Sequence, residues 1–227
     1  MYSAFSSVCT PENLMYLLKG AVISLVIAAL SLCIGTIFGI IGASAKLSEN
    51  KVFRFLGNLY VEIIRGTPFL VQLTYIYLAF PLLYMAITGN IIRQNLYVVG
   101  LAALSINSGA YTTELIRSGI IGIDKGQFEA GETLGLTKAQ TMRMIILPQA
   151  FKRIVPPLVS EFITLVKDSS LISTIGAVEL MKSAMVLGGV YYDYLSSLTI
   201  AAGYYLAMTL CISFFARKLE RKLAESD

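Results

Sequence analysis

Glu161 carries the most specific chemistry in this sequence, because it stands well inside an apolar stretch. An ionisable side chain deep in a bilayer is costly and marks a functional site by default. Glu161 lies eight residues beyond Arg153, and Asn107 lies ten residues before Arg117. As helices these offsets are ~12 Å and ~15 Å, so the two residues share one depth if their helices run in opposite senses. Helical spacing puts Leu104, Asn107, Ser108 and Tyr111 on one face, and Glu161, Thr164, Leu165 and Asp168 on another. Two polar stripes at one level suit the wall of a cavity. A cationic guanidinium or ammonium would supply the counter-charge for a buried Glu161. Asn107, Ser108 and Thr164 could hydrogen-bond the rest of such a ligand, with Tyr111 and Gln72 as further wall candidates. The competing readings are structural pairing of Glu161 and a proton-coupled role. Lys167 is six residues away and on the opposite side of the helix, which disfavours an intrahelical pair.

The elements that must position these residues are membrane helices. Of 227 residues, 56% are hydrophobic and only 14% charged, with mean hydropathy +0.72. Soluble domains carry about 25% charged residues. A helical span takes about 20 apolar residues, and five candidates run from Gly20 to Ala45, Gly66 to Ile92, Gln94 to Thr113, Ile154 to Val178 and Tyr194 to Ala216. The fold expected is all-α and polytopic, about five transmembrane helices in a single domain, 1–227. Gly66-Thr67-Pro68, Pro81 and Pro156-Pro157 allow kinks or helix starts. The first apolar run is too long for a signal-peptide core and has no basic region before it, so no cleavable signal is expected.

Basic residues set an expected orientation. Lys46, Lys51, Arg54, Arg117, Lys125, Lys138, Arg143, Lys152, Arg153, Arg217, Lys218, Arg221 and Lys222 fall on one side, against Arg93 and Lys182 on the other, with Lys19, Arg65 and Lys167 in or near spans. The positive-inside rule then places the N-terminus outside and the C-terminus in the cytoplasm. Tyr191, Tyr192 and Tyr194 would form an outer aromatic belt, in a chain that lacks tryptophan.

Several chemistries are excluded or weakened. With no histidine, imidazole catalysis and zinc–histidine sites are impossible. Cys9, Cys33 and Cys211 are scattered singly without metal-ligand spacing, and the latter two read as lipid-compatible packing residues within spans. No Gly-x-x-x-x-Gly-Lys-Ser/Thr loop occurs, so ATP binding by this chain is not expected. No metal, cofactor, catalytic residue or nucleic-acid partner is expected.

Residues 129–148 interrupt the apolar pattern with a polar, amphipathic insert. Its order is Glu129-Ala130-Gly131, then Gly135, and finally Ile145, Leu147 and Pro148. This spacing resembles the cytoplasmic coupling loop of the membrane subunit of ATP-binding-cassette importers. Val61-Glu62-Ile63-Ile64-Arg65-Gly66-Thr67-Pro68, the run from Ala110 to Arg117, Gly126-Gln127-Phe128-Glu129-Ala130 and the run from Thr164 to Leu171 are similar to motifs of polar amino-acid importer permeases. Together they span about residues 14 to 219. Gly131 stands where that pattern often has alanine, a small-for-small change.

The resemblance implies a type I importer permease fold with a coupling loop at 124–152 that docks on a separate ABC ATPase, where ATP and Mg are used. It also implies two permease subunits, two ATPase subunits and an extracytoplasmic amino-acid-binding protein, assembled in the cytoplasmic (inner) membrane. Basic amino acids (arginine, lysine, histidine) are the favoured substrates, with glutamine or another uncharged polar amino acid second. Glu62–Arg65 and Glu114–Arg117 are i, i+3 pairs that read as structural, or as a gating network, and Asp168 reads as scaffold. Gly35 and Gly39 would permit close helix approach. An ion-coupled secondary transporter is the alternative from another class, but the internal repeats often found in such proteins are not evident.

Overall fold

The computed structural model describes residues 7–224, so the extreme ends of the expected 1–227 domain lie outside the described residues. Helix α1, Pro11–Leu47, opens with Pro11 in its first turn and Thr10 as its cap, Asn13 N donating to Thr10 Oγ1 at 3.3 Å. Proline suits this position because its missing N–H would be unpaired there anyway. Then follow α2 (Lys51–Arg65), α3 (Phe69–Thr88) and α4 (Leu96–Ile121). The polar segment forms α5 (Lys125–Thr133) and α6 (Lys138–Thr141). A π-helical turn, Met142–Ile146, leads without a break into α7, Leu147–Asp168. A 3-10 continuation, Ser169–Ile175, ends at Gly176, and α8 (Leu180–Tyr191) and α9 (Tyr194–Ala224) complete the fold.

Among the described residues, α1, α3 and the Tyr194–Lys222 part of α9 are long and apolar enough to cross a membrane. The segments Lys138–Ile175 and Leu180–Tyr191 qualify together as a pair bent by 51°. The 26-residue α4 falls short of that apolarity. Its Ser105, Asn107, Ser108, Thr112 and Thr113 are buried within the protein.

The tightest seam joins α1 to α4. A Cβ on Gly39 would stand 2.5 Å from Thr112 Cγ2, closer than real contacts allow. Small residues thus let two backbones approach, as their spacing suggests. Around this seam Leu73, Leu104, Leu165, Val166 and Ile172 form the main core. Cys9, Cys33 and Cys211 are all free and exposed, the latter two on the apolar helices α1 and α9.

Candidate functional site

The α2–α3 break, α4 and α7 enclose a cavity of about 500 Å³. Its wall contains Asn107, Tyr111, Glu161, Thr164 and Asp168, all drawn from the two polar stripes. Asn107 and Glu161 thus face the same cavity. Gln72 and Ser108 stand just behind the wall. Gln72 Nε2 donates to the carbonyls of Ile64 (2.7 Å) and Thr67 (3.0 Å), while its Oε1 accepts from Asn107 Nδ2 at 3.1 Å. It fastens the broken helix to α4 and holds the Asn107 amide in place. Ser108 lies beside the Glu161 carboxylate, but its buried hydroxyl makes no well-formed hydrogen bond.

Arg65 is placed differently from expectation. It forms no ion pair with Glu62; the guanidinium lies over the Tyr111 ring, 5.1 Å from its centroid, and lines the cavity. The helix break at Gly66-Thr67-Pro68 turns Arg65 toward α4, and a cation over an aromatic face is attracted by the ring quadrupole. The cavity thus contains one cation, Arg65, and two carboxylates, Glu161 and Asp168.

Glu114 does pair with Arg117, at 2.9 Å, and also with Lys46 of α1. This trio lies on the tight α1–α4 seam, which suits a clamp inside one rigid unit. Sequence spacing could show the first pair but not the partner from another helix.

At the opposite end of α4 and α7 from Gly176, α5 and α6 form a small hairpin. Gly135 adopts φ +74, a left-handed conformation that favours glycine, immediately after α5 ends. A capping box at Thr137 and Gln140 starts α6. Pro148 sits in the first turn of α7. The motif residues divide by direction. Glu129, Ala130, Leu147 and Pro148 are exposed, whereas Gly131 is buried and Ile145 packs inward beside Phe128, Ile146 and Ala150. A Cβ on Gly131 would meet Thr141 Cγ2 and Oγ1 at 2.5 Å, so glycine here serves the hairpin's own packing. Outside the hairpin core, Leu134 is 73% exposed and Met144 65%. Neither stood out in the sequence. Lys138 bonds Glu49 at 3.1 Å, tying the hairpin to the α1–α2 turn, and this carboxylate holds the lysine above its usual range.

Glu179 is a further buried carboxylate that sequence reasoning missed. It is fully buried, caps α8 through Met181 N (2.9 Å) and Lys182 N (2.8 Å), and accepts from Ser24 Oγ (3.1 Å) and Tyr205 OH (2.8 Å). The available signal was a carboxylate directly preceding the apolar run that begins at Leu180.

A membrane fold with a broken helix, a polar central cavity and a polar hairpin at one end defines a transport subunit, and the comparisons agree. Residues 35–225 match the family described as "Binding-protein-dependent transport system inner membrane component", and the chain belongs to it. It is 39% identical over 214 residues to a putative glutamine transport system permease protein, GlnP, of Rickettsia bellii (94% of this chain, 95% of the relative). The arginine transport system permease protein ArtQ of Bacillus subtilis is 38% identical over 218 residues, covering 96% and 97% of the two chains. A crystal structure of an amino acid ABC transporter with histidines superposes with a TM-score of 0.84 at 38% identity, over 91% of this chain and 94% of the other. The inward-facing MetNI methionine ABC transporter shares the fold, with a TM-score of 0.76 at 21% identity over 94% and 99%. The chain is the permease subunit of an amino-acid ABC importer in the inner membrane, and ATP hydrolysis belongs to a separate subunit.

Proposed function

We propose that this permease carries basic amino acids, with arginine, lysine or histidine as cargo. The observation that supports the reading is the charge inventory of the cavity: Arg65 against Glu161 and Asp168. A basic amino acid presents the complementary set, one carboxylate and two cationic groups. Arg65 would receive the cargo carboxylate, as guanidinium suits carboxylate geometry. Glu161 and Asp168 would receive the cations, and Asn107, Thr164 and Tyr111 would orient the remainder. Asp168, first read as scaffold, joins the cargo set on this view. Glutamine is the second reading, favoured by the glutamine permeases among the relatives. Its zwitterion would leave one cavity carboxylate unmatched.

The subunit is proposed to work as a pair, each copy with five spans, N-terminus outside and C-terminus cytoplasmic. Two ATPase subunits would grip the paired 124–152 hairpins, and an external binding protein would deliver cargo. Closure of the ATPases on ATP and Mg would then tilt α4 and α7 and alternate access to the cavity.

ATP-dependent uptake of labelled arginine and glutamine by the complex in proteoliposomes tests the cargo. Arginine uptake by wild type that falls at least ~10-fold in Glu161→Gln, equivalent to ~1.4 kcal/mol, is the expected result. Uptake of glutamine alone would transfer the assignment to the second reading. Equal arginine uptake by wild type and variant would remove Glu161 from the cargo site.

A further inference from the structure

The face opposite the α5–α6 hairpin carries a cleft unrelated to the central cavity. Residues 93–97, which lead into α4, meet Gly176, Ala177 and Val178, which follow the 3-10 continuation of α7, around a space of about 450 Å³. A second space of about 390 Å³ opens on the other side of Arg93 and Gln94, against Tyr77 and Pro81 of α3. Arg93 and Gln94 line both.

Two features mark the cleft as incomplete. Arg93 is exposed and has no ion-pair or hydrogen-bond partner among the described residues. Gln94 Nε2 donates to the Tyr77 carbonyl at 2.6 Å, which fixes the amide orientation. Its Oε1 is consequently buried with no donor, and an unsatisfied buried acceptor carries a desolvation cost. The cleft therefore offers a free cation beside an acceptor that needs a hydrogen. An acidic side chain satisfies the cation directly, and a donor beside it satisfies the acceptor by parting the side chains that bury it.

We infer that the Arg93–Gln94 cleft is the docking point for an acidic loop of the extracytoplasmic binding protein. The inference rests on the importer reading and its orientation, which put this face outside. Charge complementarity selects the occupant: Arg93 and Lys182 are the two basic residues assigned to the outer face. Position explains what docking would do. The cleft is the junction of the two helices that line the cargo cavity, α4 with Asn107 and Tyr111, and α7 with Glu161 and Asp168. One hydrogen bond, Tyr97 OH to Val178 O at 3.1 Å, clasps its two sides. A loop seated here bears on the outer ends of both helices, whose inner ends meet the hairpin.

The test uses the whole permease–ATPase complex in proteoliposomes, with the binding protein that stimulates wild-type ATP hydrolysis supplied on the outer side. Arg93→Glu is expected to raise the binding-protein concentration for half-maximal stimulation at least ~10-fold, and Arg93→Lys less than ~3-fold. Basal ATP hydrolysis and subunit stoichiometry should match wild type in both variants. Salt should weaken stimulation of wild type more than of Arg93→Glu, since exposed charges are screened. Lysine in place of the matching acidic residue of the binding protein should restore Arg93→Glu. Unchanged half-maximal concentration in Arg93→Glu overturns the docking site and leaves the importer reading intact. A wild-type complex that no binding protein stimulates overturns both.

Discussion

At the scale of single residues, Gly131 shows how a family pattern can conceal a local constraint. Alanine at this position reads as harmless from sequence, yet a Cβ would stand 2.5 Å from two atoms of Thr141. Thr141 is itself buried, and its hydroxyl has no partner to lose. Overpacking a well-packed site typically costs ~1–3 kcal/mol. Gly131→Ala is therefore expected to lower the thermal stability of the complex and weaken coupling of ATP hydrolysis to uptake. Adding Thr141→Ala should recover both by removing the clashing atoms. A double variant no better than the single one would mean that Gly131 serves something other than this contact. The polar cavity stripes were legible because each depends on spacing within one helix. Arg65 was not, since its neighbour Tyr111 comes from another helix and the intrahelical Glu62 pairing, plausible by spacing, does not form. Arg65 also yields a prediction. Arg65→Met should raise the KM for the transported amino acid at least ~10-fold while basal ATP hydrolysis is retained, and an unchanged KM would exclude it from the cargo site.

At the scale of elements, the helices were largely readable, and their breaks explain the rest. Gly66-Thr67-Pro68 separates α2 from α3 as the proline suggests, whereas Pro156 and Pro157 lie inside a continuous α7. The start of α8 depends on Glu179, an unusual cap that three elements supply with hydrogen bonds. Periodicity could not reveal it, because Ser24 and Tyr205 are distant in sequence. Losing a cap costs ~0.5–2 kcal/mol, and leaving buried donors unsatisfied adds ~1–3 kcal/mol. Glu179→Ala should thus be far more damaging to the melting temperature of the purified complex than Tyr205→Phe, which removes one donor and leaves the cap. Equal melting temperatures for the two variants would show that the cap contributes little.

At the scale of the whole molecule, the proposed mechanism makes α4 and α7 a pair of levers with a site at each level. The Arg93–Gln94 cleft lies at one end, the charged cavity between, and the α5–α6 hairpin at the other. A 26-residue helix such as α4 is ~39 Å long, enough to join the two faces of a bilayer. Ile120, Ile123, Ile146 and Ala150 pack the hairpin onto the adjoining ends of these helices, the contact through which the proposed push on the hairpin would reach the cavity. Among the polar side chains exposed on and beside the hairpin stand two large apolar ones, Leu134 and Met144. Exposed apolar side chains on a polar segment suit burial in a partner's groove, here the proposed seat of the ATPase. Aspartate at either position would be desolvated on docking without a counter-charge, a strongly unfavourable change. Leu134→Asp and Met144→Asp are expected to reduce co-purification of the ATPase at least ~10-fold, with permease levels in the membrane unchanged. Full retention of the ATPase by both variants would place its footprint elsewhere, on the exposed Glu129, Ala130 and Pro148 side of the hairpin.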